Sequence, residues 1–185
     1  GLMGSGIAAQ VANAGFPVTL LDIVPDGATN RNVIAESAVS KMLKPVKLGS
    51  PTPLMHRRNA KLITTGNIED NLDFIKDADL IIEVVLERLD VKHNVFRKIE
   101  EFRKKGSIIT SNTSTIPREQ LVEGMPDSFA KDFMITHFFN PPRYLRLLEI
   151  VSGSEVSQKK VQIVSEFCDI NLGKEVVVCR RFSEK

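Results

Sequence analysis

Cysteine is scarce in this sequence. Cys168 and Cys179 are the only two among 185 residues, too few for a disulfide framework and without a metal-binding spacing. Both lie in apolar runs and are expected to be reduced core residues. An excess of one charge is also missing: 25 basic and 23 acidic residues are spread along the chain and leave a net charge of +2. That balance gives no electrostatic footprint for nucleic acid or a membrane surface. There is no signal-peptide pattern and no apolar run of the length that crosses a bilayer, so the sequence is read as intracellular. No repeat or low-complexity segment occurs. An initiator Met is absent too, and the sequence opens on Gly1, inside a glycine-rich motif.

What is present suits one globular domain. The apolar content is 42%, and a chain of this size buries roughly 70% of its unfolded surface. Helical and strand patterns alternate, as parallel βαβ units require. Residues 4–14 put Ile7, Ala8 and Val11 on one helical face, with Gly15 as the stop. Residues 18–23 form a continuous apolar run, the pattern of a strand buried on both faces. A helix is expected over about 28–44, then a basic, Pro-containing excursion over 44–61 and a strand at 62–65. Asp79 closes a short helix and leads into a second buried strand at 80–85. Val91, Val95, Ile99 and Phe102 recur at helical spacing before Gly106. Strands follow at 107–110, 133–136 and 147–151. Val161, Val164, Phe167, Cys168 and Leu172 line a helix that Gly173 ends, and 175–178 is the last strand.

Two regions carry chemistry. A dinucleotide site needs glycines at a strand-to-helix turn, so that backbone N–H groups approach the pyrophosphate, and an acidic residue about 20 positions on for the ribose hydroxyls. Gly1-Leu2-Met3-Gly4 supplies what would be the second and third glycines, and Asp22 ends the next strand. A rival register, Gly4-Ser5-Gly6-Ile7-Ala8-Ala9, fits the variant ending in alanine. A carboxylate at 22 repels a 2′-phosphate, which favours NAD over NADP. The second region is Thr136-His137-Phe138-Phe139-Asn140-Pro141-Pro142, followed twelve residues after the histidine by Glu149. An imidazole, with an unperturbed pKa of about 6.5, suits removal of a hydroxyl proton. Glu149 lies within Leu147, Leu148, Ile150 and Val151, where a carboxylate is costly unless paired. The two are read as a general base and its orienting carboxylate.

Gly-Leu-Met-Gly-Ser-Gly-Ile (1–7), Glu87 with Lys92, Ser111-Asn112-Thr113-Ser114 and His137-Phe138-Phe139-Asn140-Pro141 occur in one order. In that order they resemble the NAD-binding domain of the L-3-hydroxyacyl-CoA dehydrogenases of fatty-acid β-oxidation. The resemblance covers 1–178, with 179–185 a polar tail unlike the family. It implies an α/β, Rossmann-like, doubly wound, mostly parallel sheet, followed in the family by a helical domain that dimerises and helps close the active site. It implies NAD as cofactor, an acyl-CoA as substrate, no nucleic acid or membrane partner, and a cytoplasmic location, or the mitochondrial matrix in a eukaryote. His137, Glu149, Ser114 and Asn140 would be catalytic, with Ser114 donating to the substrate 3-oxygen and Asn140 positioning substrate and nicotinamide. Gly1, Leu2, Met3, Gly4, Asp22, Glu87 and Lys92 would bind the cofactor, the last two near its ribose. The basic residues Lys44, Lys47, Arg57, Arg58 and Lys61 lie where the family approaches the CoA nucleotide.

The chain departs from that pattern at both ends. No strand precedes Gly1, although the usual order 3-2-1-4-5-6 puts the first strand mid-sheet. After Cys179 the polar tail replaces the family's Asp-Thr-Pro-Gly-Phe and its helical domain. Two alternatives therefore stay open: a Rossmann remnant without catalysis that binds nucleotide weakly or not at all, and a related dehydrogenase acting on a small hydroxy acid.

Overall fold

A computed structural model describes residues 1–45 and 51–179. They fall into two compact units, Gly1–Phe74 with Asn140–Tyr144, and Ile75–Phe139 with the described residues from Leu145 onward.

In the first unit, helix α1 (Leu2–Asn13) and helix α2 (Val33–Met42) pack against a parallel pair of strands, β1 (Val18–Asp22) and β2 (Ile63–Asn67). The strands run in register from Val18 opposite Ile63 to Asp22 opposite Asn67. Ala8, Ala9, Ala12 and Ala35 are buried with Leu20, Met42, Leu54 and Ile63. Such small side chains bring helix and strand backbones close, and the branched residues fill the remaining space. Past α1, Gly15 has a φ of 88°, a left-handed conformation that ends a helix cheaply only without a Cβ. Asn67, 2% exposed, gathers the loop after β2. Its side-chain oxygen accepts from the amides of Glu69 and Asp70, and its amide group donates to Asn32.

The second unit is a five-stranded sheet in the order β3 (Leu80–Glu83), β4 (Ile108–Ser111), β5 (Phe133–Phe138), β6 (Leu147–Ser152) and β7 (Glu175–Cys179). The β5–β6 pair is antiparallel and the others are parallel. Helix α3 (Leu89–Phe102) places Phe96 against Phe129 and Phe133, all fully buried with ring centroids 5.2–5.3 Å apart. Aromatic contacts of this kind contribute about 0.5–1.5 kcal/mol beyond their area. Two short helices, α4 (Arg118–Val122) and α5 (Asp127–Ala130), join β4 to β5. Helix α6 (Gln158–Glu166) continues as a π turn over Phe167–Asn171, and Gly173 ends it at φ 64°. No helix among the described residues is long and apolar enough to cross a membrane.

The architecture is the expected Rossmann-like α/β fold with a mostly parallel sheet. Several details differ from expectation. Helix α2 starts at Val33, not near 28, because Asn30 bonds the Asn32 amide and the Glu36 carboxylate, a local alternative to helix. Strand β1 buries only Leu20, and Ile23 is 54% exposed; among the described residues β2 is its one partner. Strand β3 stops at Glu83, whose own carboxylate takes the Val85 amide at 2.6 Å. Cys168 is in the core, but Cys179 is only half-buried on the last strand of its sheet. The excursion contains a 3₁₀ helix, Arg57–Leu62, whose cap is His56 accepting from the Arg58 amide at 3.0 Å. His93 likewise has a structural contact, 2.8 Å from the Gln120 carbonyl.

Candidate active site

In the second unit, His137 and Glu149 stand directly opposite each other across the antiparallel β5–β6 ladder. Opposed residues on one sheet face bring their side chains together, and His137 Nδ1 lies 3.0 Å from Glu149 Oε2. An ionised carboxylate only accepts, so with a neutral ring this bond takes the proton on Nδ1 and leaves the lone pair on Nε2. The imidazole is 21% and the carboxylate 39% exposed, so the ring is held by protein yet open to a reactant. The Phe139 ring covers one side of it, with centroids 4.4 Å apart.

The Ser-Asn-Thr-Ser turn follows β4, and each of its first three side chains holds something. Ser111 donates to Glu83 Oε2 at 2.5 Å, Asn112 Oδ1 accepts from the Phe138 amide at 2.8 Å, and the Thr113 hydroxyl donates to Glu87. Thr113 also accepts from the Ile116 amide at 3.1 Å, so the turn's own cap is Thr113 rather than Ser114. Ser114 is exposed and makes no hydrogen bond among the described residues.

Glu87 and Lys92 meet at 3.2 Å, but Lys92 is not the exposed residue that a helix surface would carry. It is 1% exposed, and its ammonium also lies 3.0 Å from both oxygens of Glu83. Glu87 accepts from the Thr115 hydroxyl at 3.0 Å as well. Partial burial pushes the Glu87 carboxyl upward, but the Thr113 hydroxyl and the Lys92 charge outweigh it and bring it from 4.5 to about 2. Glu83, Ser111 and Thr113 have no assigned role in the sequence reading.

In the first unit, the N-terminus of α1 has Gly1 as its cap, no side-chain capping bond and no acidic residue in its first turn. The first amides of a helix have no internal partner, and here no side chain takes their place. This donor set fits a pyrophosphate. Asp22, at the C-terminal end of β1, lies beside it with Oδ2 2.6 Å from the Gly1 nitrogen. Arg31 pairs with Asp70 at 2.6 Å and Glu69 at 2.8 Å. In the rival register, Gly6 faces Pro142: a Cβ there would lie 3.1 Å from the ring.

Asn140 opens the segment Asn140–Tyr144, which belongs with this unit. Arg143 of that segment donates to the carbonyls of Thr52 and Pro53. Asn140 is exposed, and its peptide bond to Pro141 is cis. Lys44, Arg57, Arg58 and Lys61 are exposed, while Lys47 lies outside the described residues. A depression of about 510 Å³, lined in part by Gly15, Met55, His56 and Arg58, sits at the C-terminal end of α1, opposite the uncapped turn.

The family model described as the 3-hydroxyacyl-CoA dehydrogenase NAD-binding domain matches residues 1–182. A probable 3-hydroxyacyl-CoA dehydrogenase of Deinococcus radiodurans is 45% identical over 178 residues, 96% of this chain and 50% of the relative. The chain therefore spans about half the length of that relative. Among solved structures, FadB2 of M. tuberculosis superposes with a TM-score of 0.78 at 29% identity, covering 97% of this chain and 60% of that one. A (S)-3-hydroxybutyryl-CoA dehydrogenase from Ralstonia eutropha gives 0.76 at 28% identity, covering 96% and 60%. By the extent of the family match, this chain belongs to the NAD-binding domains of the 3-hydroxyacyl-CoA dehydrogenases.

Proposed function

We propose that this chain holds NAD and carries the proton-transfer pair of an L-3-hydroxyacyl-CoA dehydrogenase, which oxidises its substrate to the 3-ketoacyl-CoA in fatty-acid β-oxidation. The observation that carries this reading is the 3.0 Å contact of His137 Nδ1 with Glu149, which leaves Nε2 as the free acceptor. When bound, the nicotinamide supplies an acceptor for the hydride that leaves C3 of the substrate. His137 Nε2 takes the C3 hydroxyl proton, so the substrate loses a hydride and a proton and becomes a ketone. Glu149 holds the ring's orientation and stabilises the imidazolium that forms.

Ser114, with its hydroxyl unengaged, donates to the substrate 3-oxygen, and Asn140 positions substrate and nicotinamide. The amides of Leu2, Met3 and Gly4 take the pyrophosphate, Asp22 the adenosine ribose, and Glu87 the other ribose, with the buried Lys92 holding Glu87 rather than touching the sugar. The exposed cations Lys44, Arg57, Arg58 and Lys61 suit the phosphates of CoA. The setting is the cytoplasm, or the mitochondrial matrix in a eukaryote.

The test compares the full-length protein with its His137→Gln variant, following NADH formation from an L-3-hydroxyacyl-CoA. Loss of the base should lower turnover by about 10²–10⁴; near-normal turnover removes the assignment. Turnover of a free hydroxy acid in place of the thioester would point to the related hydroxy-acid dehydrogenases.

A further inference from the structure

Behind the exposed carboxylate of Glu87 lies a second one to which the proposed reaction gives no task. Glu83 ends β3, and its side chain has no exposed surface. Four hydrogen bonds reach it: two from the Lys92 ammonium at 3.0 Å, one from Ser111 Oγ at 2.5 Å and one from the Val85 amide at 2.6 Å. Lys92 is as deeply buried, and its remaining contact is Glu87 Oε2 at 3.2 Å. The three N–H bonds of the ammonium thus have three carboxylate oxygens to point at.

Stability alone does not account for this arrangement. Taking two charges out of water is costly, and apolar residues of similar volume commonly do as well or better. What an apolar pair cannot do is fix a direction. Glu83 anchors the Lys92 ammonium from inside, and Lys92 in turn holds one oxygen of Glu87 while Thr113 and Thr115 hold the other. Glu87 is the one carboxylate of the cluster that reaches the surface, at 39% exposed.

We propose that Glu83 is a positioning residue for nucleotide binding: through Lys92 it sets the Glu87 carboxylate in the orientation that accepts a sugar hydroxyl. The proposal rests on Glu87 as a ribose contact, as read under Proposed function. Ser111, the first residue of the Ser-Asn-Thr-Ser turn, belongs to the same device because it fixes Glu83.

NADH affinity of the full-length protein tests this by fluorescence titration, independently of turnover, with wild type, Glu83→Gln, Glu87→Gln and the double variant, each with a thermal melt. Glu83→Gln should weaken NADH binding about 10-fold, within the span of one charge-assisted hydrogen bond. If Glu83 acts through Glu87, the double variant binds no more weakly than Glu87→Gln, within about 2-fold. A Glu83→Gln protein that binds NADH like wild type, or losses that multiply in the double variant, overturns the proposal. Should Glu83→Gln fail to fold, Ser111→Ala removes a single donor and should weaken NADH binding about 3-fold; unchanged affinity overturns the proposal there too. A wild-type protein that does not bind NADH overturns the underlying ribose assignment and this inference with it, a result distinct from either failure above.

Discussion

Asn112 Oδ1 lies 2.8 Å from the amide nitrogen of Phe138, the residue after the proposed base. The contact compensates for unequal strand lengths. Strand β4 ends at Ser111, paired with Ile135, while β5 runs on to Phe138. Along that edge the last amide of β5 has no backbone acceptor from β4, and a buried amide without a partner is costly. Asn112 supplies the missing acceptor. Asn112→Ala should therefore destabilise the protein by about 1–3 kcal/mol and loosen the strand end that carries His137. Asn112→Asp keeps an acceptor and should recover most of that loss. Urea unfolding of the full-length variants measures both, and an alanine variant as stable as wild type would show that the contact is dispensable.

Glu149 offers a graded test of the pair. Glu149→Gln still presents a carbonyl oxygen to the Nδ1 proton, so it keeps the ring's orientation and loses only the charge. Glu149→Ala loses both. Turnover should fall in the order wild type, Gln, Ala, with the alanine variant losing no more than the ~10²–10⁴ expected for the base itself. Equal turnover for alanine and wild type would leave His137 without an orienting partner.

Strands β4 and β5 and the His–Glu pair were legible in the sequence for one reason. A continuous apolar run needs burial, and a lone carboxylate inside one needs a partner; Glu149 between Leu148 and Ile150 announces both. The same signal exists at Glu83, between Ile82 and Val84. Its partner, however, sits on a helix after an intervening turn, and no spacing rule links the two positions. Helix-period patterns give α3 and α6 but miss the 3₁₀ helix at Arg57–Leu62, which is too short to show a period. They also overextend α2, because the local bonds of Asn30 carry no hydrophobic signature. The glycine turn is legible as a helix start; the engagement of Arg31 by Glu69 and Asp70 is not, since those acids lie 38 and 39 residues away.

The depressed carboxyl of Glu87 makes a pH-dependent contribution to stability. Its folded value of about 2 lies below the ordinary 4.5, so between these limits the unfolded chain binds more protons. The contribution is complete above about pH 4.5 and disappears as acid brings the pH down to about 2. Partial exposure of the side chain keeps its size modest. In thermal melts of wild type and Glu87→Gln, the gap should stay constant from about pH 5 to 8 and close on acidification. A gap that widens in acid would contradict the charge network around Lys92.

The two cysteines should differ sharply in reactivity. Burial pushes the Cys168 thiol up to about 12, and the nearby Lys174 charge offsets little of this. The thiolate is the reactive form, so at neutral pH Cys168 is protected both by its protonation and by its 1% exposure. Cys179 is only half-buried, on β7, and so lacks the shielding of the core. Alkylation with iodoacetamide, followed by peptide mass spectrometry, should label Cys179 within minutes and Cys168 only as the protein unfolds. Adding urea should bring the second label in at the unfolding midpoint. Early labelling of Cys168 in the native protein would mean that the π turn at Phe167–Asn171 opens to solvent and that the end of α6 is not a closed part of the core.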